Sequence, residues 1–207
     1  MIVGMISQKG GVGKSTLTRA LASEASKNGL NVKIGDLDVQ QGTVVNWHRR
    51  RLENDFEPVG SVESFKTVAH ALKGKEGYDL LILDGQARTS SATLEIAKVA
   101  DLIVQPTGAS LDDLEPAILT FHELVRAKIP KEKIIFALCR VGTNAELSEC
   151  IDYIKNAGYS VLSGCLLEKP TYRQTQNMGL SVTETRYKTL NEKADKLIQS
   201  LIDHISN

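Results

Sequence analysis

The stretch Gln8-Lys9-Gly10-Gly11-Val12-Gly13-Lys14-Ser15-Thr16 decides how the chain folds. It follows a short apolar run, residues 2–6, and precedes leucines and alanines at helical spacing. A strand, a glycine-rich loop and a helix, in that order, are typical of a phosphate-binding loop. Glycines let the loop bring its N–H groups against phosphate oxygens, and the helix N-terminus adds partial positive charge. A glycine-rich turn without a chemical role is the alternative, but it leaves the lysine and hydroxyl positions unexplained.

The loop predicts two ligand contacts and also departs from the usual pattern. In G-x-x-x-x-G-K-[ST], the lysine reaches the β- and γ-phosphates and the hydroxyl ligates Mg²⁺. Lys14 and Ser15 occupy those positions. However, Gln8 stands where the first glycine is expected, and a second lysine, Lys9, follows directly. The loop is therefore a variant of the common form.

Two later apolar runs end in carboxylates. The first ends in Asp36-Leu37-Asp38, and the second, Leu80-Leu81-Ile82-Leu83, ends in Asp84. In open parallel sheets, ligands bind just beyond the carboxyl ends of the strands. Downstream of a phosphate-binding loop, Asp84 is predicted to hold Mg²⁺ through water. Asp36 has two possible roles, as a second ligand of the metal shell or as a helix-capping carboxylate.

Alternating apolar runs and helical patterns predict an α/β fold. The predicted architecture is one doubly wound domain over residues 1–207, a mostly parallel sheet with helices on both faces, as in P-loop NTPases. The predicted strands are residues 2–6, 32–37, 56–59 at an edge, 80–84, 101–104, 133–138 and 159–162. Helical patterns cover residues 17–25, 40–52, 65–72, 94–99, 114–125 and 144–156, and further helices follow at the C-terminus.

Three local signals refine this architecture. Pro106 is predicted to end the strand that begins at residue 101. The stretch Ser110-Leu111-Asp112-Asp113 matches a capping box ahead of an apolar helix. The basic run His48-Arg49-Arg50-Arg51 is predicted to be a solvated helix face, with a phosphate or DNA contact as the alternative.

Composition excludes several classes of partner and site. The 207 residues include 25 Lys plus Arg and 25 Asp plus Glu, so any DNA binding must come from a local patch. Three widely spaced cysteines suggest neither a disulfide framework nor a zinc site. No leader-like segment precedes the first strand, and no apolar run approaches the length of a membrane span. A cytoplasmic protein without a transmembrane segment is expected.

The loop Lys9-Gly10-Gly11-Val12-Gly13-Lys14-Ser15 resembles that of the ParA/MinD ATPases. The resemblance implies ATP and Mg²⁺ as cofactors, held by residues 10–16 (Gly10, Gly11, Val12, Gly13, Lys14, Ser15 and Thr16). It implies slow, Mg²⁺-dependent and partner-stimulated ATP hydrolysis by a homodimer that encloses two ATP molecules. Lys9 would reach the phosphates bound by the partner subunit, whereas a solvated loop lysine is the alternative. Asp38 would orient the attacking water, so the implied catalytic residues are Lys9, Lys14 and Asp38.

Other stretches follow the family less closely. Val39 stands where the family has proline, and Gly85-Gln86-Ala87 replaces a proline-containing turn, which leaves the switch geometry open. An Asn-Arg pair often ends the strand near residue 138, and here Cys139-Arg140 matches only its arginine. The segment from Pro170 and Tyr172 to residue 182 resembles the region that borders adenine. Because no N-K-x-D guanine motif is present, ATP is favoured over GTP.

The resemblance favours a partition-type ATPase that positions a plasmid, a chromosome or another cargo. It would bind DNA without sequence preference, associate with the nucleoid and respond to a ParB-like or other small adaptor protein. Candidate DNA contacts are basic residues on or near the last helices: Arg173, Arg186, Lys188, Lys193 and Lys196. Each could instead be an ordinary exposed helix charge. Because only a short apolar run precedes the loop, no operator-reading helix-turn-helix is expected there.

Two alternative functions use the same scaffold. A MinD-like membrane-cycling regulator of cell division needs a basic amphipathic C-terminal segment. The last helix has an apolar stripe but little positive charge at its end, so packing on the core is the better interpretation, and membrane binding is not expected. An ATP-dependent metabolic enzyme, such as a ligase or a metal-cluster carrier, would need a small-acid pocket or paired cysteines.

Overall fold

A seven-stranded parallel sheet forms the centre of the molecule in this computed structural model, which describes residues 1–87 and 90–206. Runs of consecutive aliphatic residues form its inner strands, as expected for strands buried on both faces. The strands are β1 (Ile2–Met5), β2 (Val32–Asp36), β3 (Ser61–Ser64), β4 (Leu80–Asp84), β5 (Leu102–Thr107), β6 (Ile134–Leu138) and β7 (Ser160–Val161). Their spatial order is β3-β2-β4-β1-β5-β6-β7, and each neighbouring pair is parallel.

Helices connect the strands and cover both faces of the sheet. They are α1 (Lys14–Lys27), α2 (Thr43–Glu53), α3 (Val68–Ala71), α4 (Ser90–Val99), α5 (Leu111–Arg126), α6 (Asn144–Asn156), α7 (Pro170–Asn177) and α8 (Lys188–Ser206). One apolar cluster includes Trp47 of α2 and Leu197 of α8, and the opposite cluster includes Phe121 of α5 and Ile154 of α6. The predicted doubly wound α/β sheet is therefore confirmed.

The edge strand differs from the prediction. Residues 56–59 are not a strand, and the edge is formed by β3, which starts after Gly60. Gly60 has a φ of 111°, and a Cβ there would lie 2.1 Å from the carbonyl oxygen of Val32. Pro58, which has no N–H to donate, lies two residues earlier. The chain therefore joins the sheet only beyond this close approach.

Pro106 does not end its strand, so that prediction is wrong. It pairs with Ala137 inside β5. On the other side of β5, pairing with β1 reaches only Val104, opposite Met5. Because β1 ends there, the missing N–H of the proline removes no hydrogen bond from the sheet.

Two helix predictions are also corrected. Ser110 is the N-cap residue of α5, but its side chain accepts no capping hydrogen bond. The basic run on α2 is only partly solvated: Arg49 is exposed, whereas Arg51 is buried and forms a two-bonded ion pair with Glu184, at 2.9 and 3.0 Å. Arg51 thereby ties α2 to the segment before α8.

The last helix packs on the core, as its pattern predicted. Ala194, Leu197, Ile198 and Leu201 are buried in the cluster that also contains Leu17 and Leu21 of α1. The helix is long, but its apolar residues occupy one stripe only. Within the described ranges, no helix combines the length and hydropathy that crossing a membrane requires.

Candidate functional site

The site lies at the carboxyl edge of the sheet, where three strands end side by side. Met5 of β1 pairs with Asp84 of β4, and Asp84 pairs with Asp36 of β2. The phosphate-binding loop connects β1 to α1 directly above them. Parallel register thus places a glycine-rich loop and two carboxylates together, although they come from distant parts of the sequence.

The loop presents free N–H groups to a cavity of about 300 Å³. Gly13 has a φ of 117°, and a Cβ there would lie 3.0 Å from the sulfur of Cys139, so glycine is required by both conformation and space. In the described part of the chain, the N–H groups of residues 10–13 donate to no protein acceptor. Together with the N-terminus of α1, they form a site suited to an anion.

Lys14 is buried at the base of this cavity. Its Nζ donates to the carbonyl oxygen of Lys9 at 3.3 Å. Burial lowers the pKa of its ammonium group, while the nearby carboxylates of Asp84 and Asp38 oppose this shift. A lysine held here by its own loop adds positive charge to the cavity, as predicted for a phosphate contact.

Asp84 lies within reach of the predicted metal ligand Ser15. The Ser15 hydroxyl donates to Oδ2 of Asp84 at 2.7 Å, and the Thr18 hydroxyl donates to Oδ1 at 3.1 Å. Burial raises the pKa of Asp84 to about 6, against the hydrogen bonds from the two hydroxyls and the charge of Lys14. A buried carboxylate and a hydroxyl beside free loop amides form a donor set that fits Mg²⁺ with a nucleotide phosphate.

Asp36 acts as a capping carboxylate in this structure. Its Oδ2 accepts from the N–H of Val44 at 2.9 Å and of Val45 at 3.4 Å, both in the first turn of α2. Its Oδ1 accepts from the N–H of Asp38 at 3.0 Å. Burial raises its pKa, and these three N–H groups oppose the shift. The capping alternative is thus realised, and the metal-ligand alternative stays a prediction.

Asp38 borders the same cavity as Lys14 and Ser15. It begins the segment 38–42, called here the Asp38 loop, which leads from β2 into α2. The side chain of Gln86 donates to the carbonyl oxygen of Leu37, just before this loop. A hydrogen bond therefore connects the start of this loop to the segment that follows β4, the strand that ends in Asp84.

Lys9 points away from the phosphate cavity. Its Nζ forms an ion pair with Asp113 and donates to the carbonyl oxygen of Asp112 at 3.1 Å, both in the first turn of α5. The side chain of Lys9 is 45% exposed. The structure thus places this lysine at the rim of the site, paired within its own chain.

A second cavity, of about 230 Å³, adjoins the loop on the side of Cys139 and Arg140. It is called here the base-side cavity. Glu168 at its edge accepts from Arg140 at 2.7 Å and from Arg173 at 3.1 Å. Tyr172 lines it and donates to the carbonyl oxygen of Leu190 at 3.0 Å, and burial raises the pKa of its hydroxyl to about 12.

The structure brings most predicted site residues together at these two cavities. Among the described residues, those lining the base-side cavity include Arg140 and Tyr172 but not Pro170, which is the first residue of α7. Sequence reasoning missed several polar residues, among them Thr18, Arg19 and Glu168. Their contacts with Asp84, Gln176 and Arg140 span 66, 157 and 28 positions, so no local pattern could identify these contacts.

Ser15 and Asp84 supply only part of a metal coordination shell. No cluster of three or more His, Cys, Asp or Glu suited to a metal ion occurs within residues 1–87 and 90–206. A hydroxyl and a carboxylate alone leave most positions around Mg²⁺ to phosphate oxygens and water, as Mg²⁺ prefers in nucleotide sites.

Comparisons with known proteins agree with this geometry. The sequence matches the family described as the CobQ/CobB/MinD/ParA nucleotide-binding domain over residues 3–182. No curated protein sequence gives a match. The fold is similar to that of many solved structures.

Three of these structures, all at low sequence identity, illustrate the likeness of fold. A candidate plasmid partition protein from Borrelia burgdorferi, bound to AMPPNP, is 19% identical with a TM-score of 0.75, covering 98% of each chain. The septum site-determining protein MinD from Pyrococcus horikoshii, complexed with Mg-ADP, is 18% identical with a TM-score of 0.73, covering 100% of this chain and 97% of that one. The MinC:MinD cell division protein complex from Aquifex aeolicus is 15% identical with a TM-score of 0.76, covering 100% of this chain and 96% of that one.

The sequence match covers well over half of the chain, and the structural likeness extends over nearly all of it. The loop, the two strand-end carboxylates and the two cavities are the parts that a nucleotide-binding domain needs. The chain belongs to the CobQ/CobB/MinD/ParA family of nucleotide-binding domains, which includes the ParA and MinD ATPases.

Proposed function

We propose that this chain is a ParA-like ATPase that forms an ATP-dependent homodimer, binds DNA without sequence preference and positions a plasmid, a chromosome or another cargo. The observation that carries the proposal is the placement of Lys9. It lies at the exposed rim of the phosphate-binding loop, where its ammonium group contacts Asp113 and the carbonyl oxygen of Asp112 on α5. A second subunit facing this rim could receive its ammonium group.

The residues at the phosphate cavity have separate roles in the proposed hydrolysis of ATP. The loop amides and Lys14 bind the phosphates and offset the charge that develops during transfer. Ser15 and Asp84 would hold Mg²⁺, which would supply positive charge against that of the phosphates. Asp38 orients the attacking water, and Lys9 adds positive charge from the opposite subunit. Hydrolysis then releases the dimer from DNA, accelerated by a ParB-like or other small adaptor protein.

Two exposed lysines on α8 support the proposed DNA contact. Lys193 and Lys196 are exposed and lie three residues apart on α8. In the part of the chain that the structure describes, neither forms an ion pair. By contrast, Arg173 is paired with Glu168, and Lys188 lies 3.9 Å from Glu192. The two unpaired lysines are therefore the stronger candidates for phosphate contacts.

The membrane-cycling alternative finds less support. A membrane-binding C-terminal helix needs a free apolar face, whereas the stripe that includes Ala194 and Leu201 is buried in the core. Co-sedimentation with anionic vesicles in the presence of ATP tests this alternative directly. We expect the protein to remain in the supernatant.

The central experiment measures binding to two unrelated DNA duplexes with ATP, with ADP and without nucleotide, over a series of salt concentrations. We expect binding only with ATP, equal for both sequences, and lost in Lys14→Ala. Affinity should fall steeply with salt because binding releases counterions from DNA. Binding that ignores the nucleotide, or no binding under any condition, would overturn the proposed function.

Variants of α8 locate the DNA contact. The double variant Lys193→Glu, Lys196→Glu should lose affinity and reduce the slope of log K against log salt by about 2, since each phosphate contact contributes about 0.9. The double variant Lys98→Glu, Lys155→Glu changes exposed lysines on α4 and α6 and serves as the matched control. Equal losses in the two double variants would indicate net charge instead of a local surface.

A further inference from the structure

Arg19 is a buried arginine of α1 that joins two segments far apart in the sequence. Its Nη1 donates to Oε1 of Gln176 in α7 at 2.8 Å. Its Nη2 donates to the carbonyl oxygen of Thr43, the first residue of α2, also at 2.8 Å. A single guanidinium group therefore fixes the distance between α7 and the start of α2.

The two contacts of Arg19 lie at different cavities. Gln176 lines the base-side cavity together with Tyr172, whose carbonyl oxygen accepts from the Gln176 amide at 3.3 Å. Thr43 borders the phosphate cavity and directly follows the Asp38 loop, in which the N–H of Gly42 donates to the carbonyl oxygen of Asp38 at 2.7 Å. Arg19 thus connects the base-side cavity with the loop that carries Asp38.

Arg19 is also incompletely satisfied. It is 7% exposed, and its Nε has no hydrogen-bond partner among residues 1–87 and 90–206. Burial lowers the pKa of its guanidinium to about 10, so the group stays charged at neutral pH. Arg19 borders the phosphate cavity beside Thr16. With one donor unused, the guanidinium depends on Gln176 and Thr43 for the hydrogen bonds that offset its burial.

We propose that Arg19 is a positioning residue that transmits occupancy of the base-side cavity to the Asp38 loop. This inference rests on the proposed ATP hydrolysis. A base in the cavity fixes Gln176, Gln176 fixes the guanidinium, and the guanidinium holds Thr43 and with it the loop. Hydrolysis then proceeds at full rate only when a nucleoside, and not merely a phosphate chain, is bound.

Gln86 provides the matched comparison, because it contacts the residue just before the same loop. Its amide holds the carbonyl oxygen of Leu37 at the other end of the Asp38 loop. Among the described residues, those lining the base-side cavity include Gln176 but not Gln86. Loss of Gln86 should therefore loosen the loop without changing how the loop responds to the base.

Trp47 offers a readout of Arg19. It is the single tryptophan of the chain, it is buried in α2, and the Cζ atom of Arg19 lies 5.7 Å from its ring centroid. The Cζ atom of Arg51 lies 5.8 Å from the same ring, but Arg51 is held by its ion pair with Glu184. A cation near an indole face changes the electrostatic environment of the ring, so a change in the position of Arg19 should alter the fluorescence emission of Trp47. We expect a shift with ATP, none with inorganic tripolyphosphate, and none with ATP in Gln176→Leu, although ATP still binds.

A double-mutant cycle on ATP hydrolysis tests the connection. Arg19→Met and Gln176→Leu should each lower kcat about tenfold with KM changed less than about threefold, because they disturb positioning and leave the phosphate contacts intact. The double variant should be no slower than the slower single variant. Arg19→Met combined with Gln86→Leu should instead give the product of the two single effects.

The outcomes separate this inference from the proposed function. If Arg19→Met does not fold, Arg19→Lys replaces it, because it retains the charge but cannot make both contacts. Its kcat should lie between that of the unmodified protein and the tenfold lower value expected for Arg19→Met. Three outcomes would overturn the inference while hydrolysis remains. The effects of the Arg19 and Gln176 variants on kcat could multiply in the double variant, the variants could raise KM alone, or Trp47 could respond equally to tripolyphosphate and ATP. Absence of any Lys14-dependent hydrolysis in the unmodified protein would overturn the proposed function and this inference together.

Discussion

The two lysines of the phosphate-binding loop lie in opposite surroundings. Lys14 is 8% exposed, at the base of the phosphate cavity, where Asp84 and Asp38 offset the cost of burying its charge. The side chain of Lys9 is 45% exposed and pairs with Asp113 at the rim. The pair lies at the surface on its Lys9 side, although the Asp113 side chain is only 13% exposed. Surface ion pairs contribute about 0–1 kcal/mol, so Lys9 can exchange its partner at modest cost. The inner lysine is fixed by its own subunit, whereas the outer one is available to another.

The largest expected effect comes from the inner lysine. Lys14→Ala should lower ATP hydrolysis by about 100-fold or more, since it removes the charge that binds and stabilises the transferred phosphate. Phosphate release at saturating ATP is the measurement. Lys27→Ala, at the last turn of the same helix, removes a lysine that pairs with Glu24 at 2.8 Å and should change the rate little. Similar rates for the two variants would contradict the role of Lys14.

The buried carboxylate below Lys14 should make stability depend on pH. Burial raises the pKa of Asp84 from 3.8 to about 6. Between these values the folded protein binds more protons than the unfolded chain, so the free energy of unfolding falls as pH rises and levels off above about 6. A shift of about 2 units corresponds to at most about 3 kcal/mol.

Urea unfolding of the ligand-free protein from pH 4 to 7 measures this effect. Asp84→Asn is the control, because an amide does not titrate in this range and its single oxygen can still accept from one of the two hydroxyls. Asp36, whose pKa is also raised, titrates in both proteins. Equal slopes for the two proteins would show that Asp84 is not the titrating group.

Local sequence patterns predicted the inner site but not its connections. The glycine-rich loop and the aliphatic strand that ends in Asp84 are defined by adjacent residues, so their types and spacing are visible in the sequence. The edge strand was misplaced because the close approach of Gly60 to Val32 depends on a neighbouring strand. The ion pair of Lys9 with Asp113 likewise joins separate elements, and no local sequence pattern predicts it.

Long-range contacts also explain which charges are structural. Arg51 belongs to a basic run that is typical of a solvated face, yet its partner, Glu184, lies 133 residues away. Arg19 reaches Gln176 across 157 residues. Such pairs form only once the sheet brings α1, α2 and the C-terminal segment together, so the sequence could not separate them from ordinary surface charges.

The outer lysine should matter less than the inner one, and in a different way. Lys9→Ala should lower ATP hydrolysis about 10- to 100-fold and abolish the ATP-dependent dimer, because in the proposed dimer its charge acts across subunits. The affinity for ADP, which each subunit is expected to bind alone, should stay within about threefold of the original. Sedimentation with ATP and titration with ADP make the two measurements.

Gln8→Ala provides the control for Lys9. Gln8 lies in the same loop and donates to Glu123 at 3.3 Å, so its loss disturbs the rim without removing a cation. It should leave the dimer intact. If Lys9→Ala weakens ADP binding as much as it weakens hydrolysis, then Lys9 serves its own subunit and the contrast between the two lysines fails.

The smallest effect is expected from the partner that holds Lys9 in its own chain. Asp113→Asn removes the carboxylate of the ion pair, so Lys9 no longer has to leave it when a second subunit binds. The dimer should form with ATP at a severalfold lower protein concentration, as expected for the loss of a competing ion pair of up to about 1 kcal/mol. Sedimentation across a protein dilution series measures this shift.

Asp112→Asn distinguishes the ion pair from general charge. Asp112 contacts Lys9 through its backbone carbonyl oxygen, which the substitution retains, and the residue is exposed. Both variants remove one negative charge from the first turn of α5, but only Asp113→Asn releases the lysine. An equal shift in the two variants would mean that repulsion between like charges controls dimerisation. Weaker dimerisation in Asp113→Asn would instead mean that Asp113 holds Lys9 in the position that the second subunit requires.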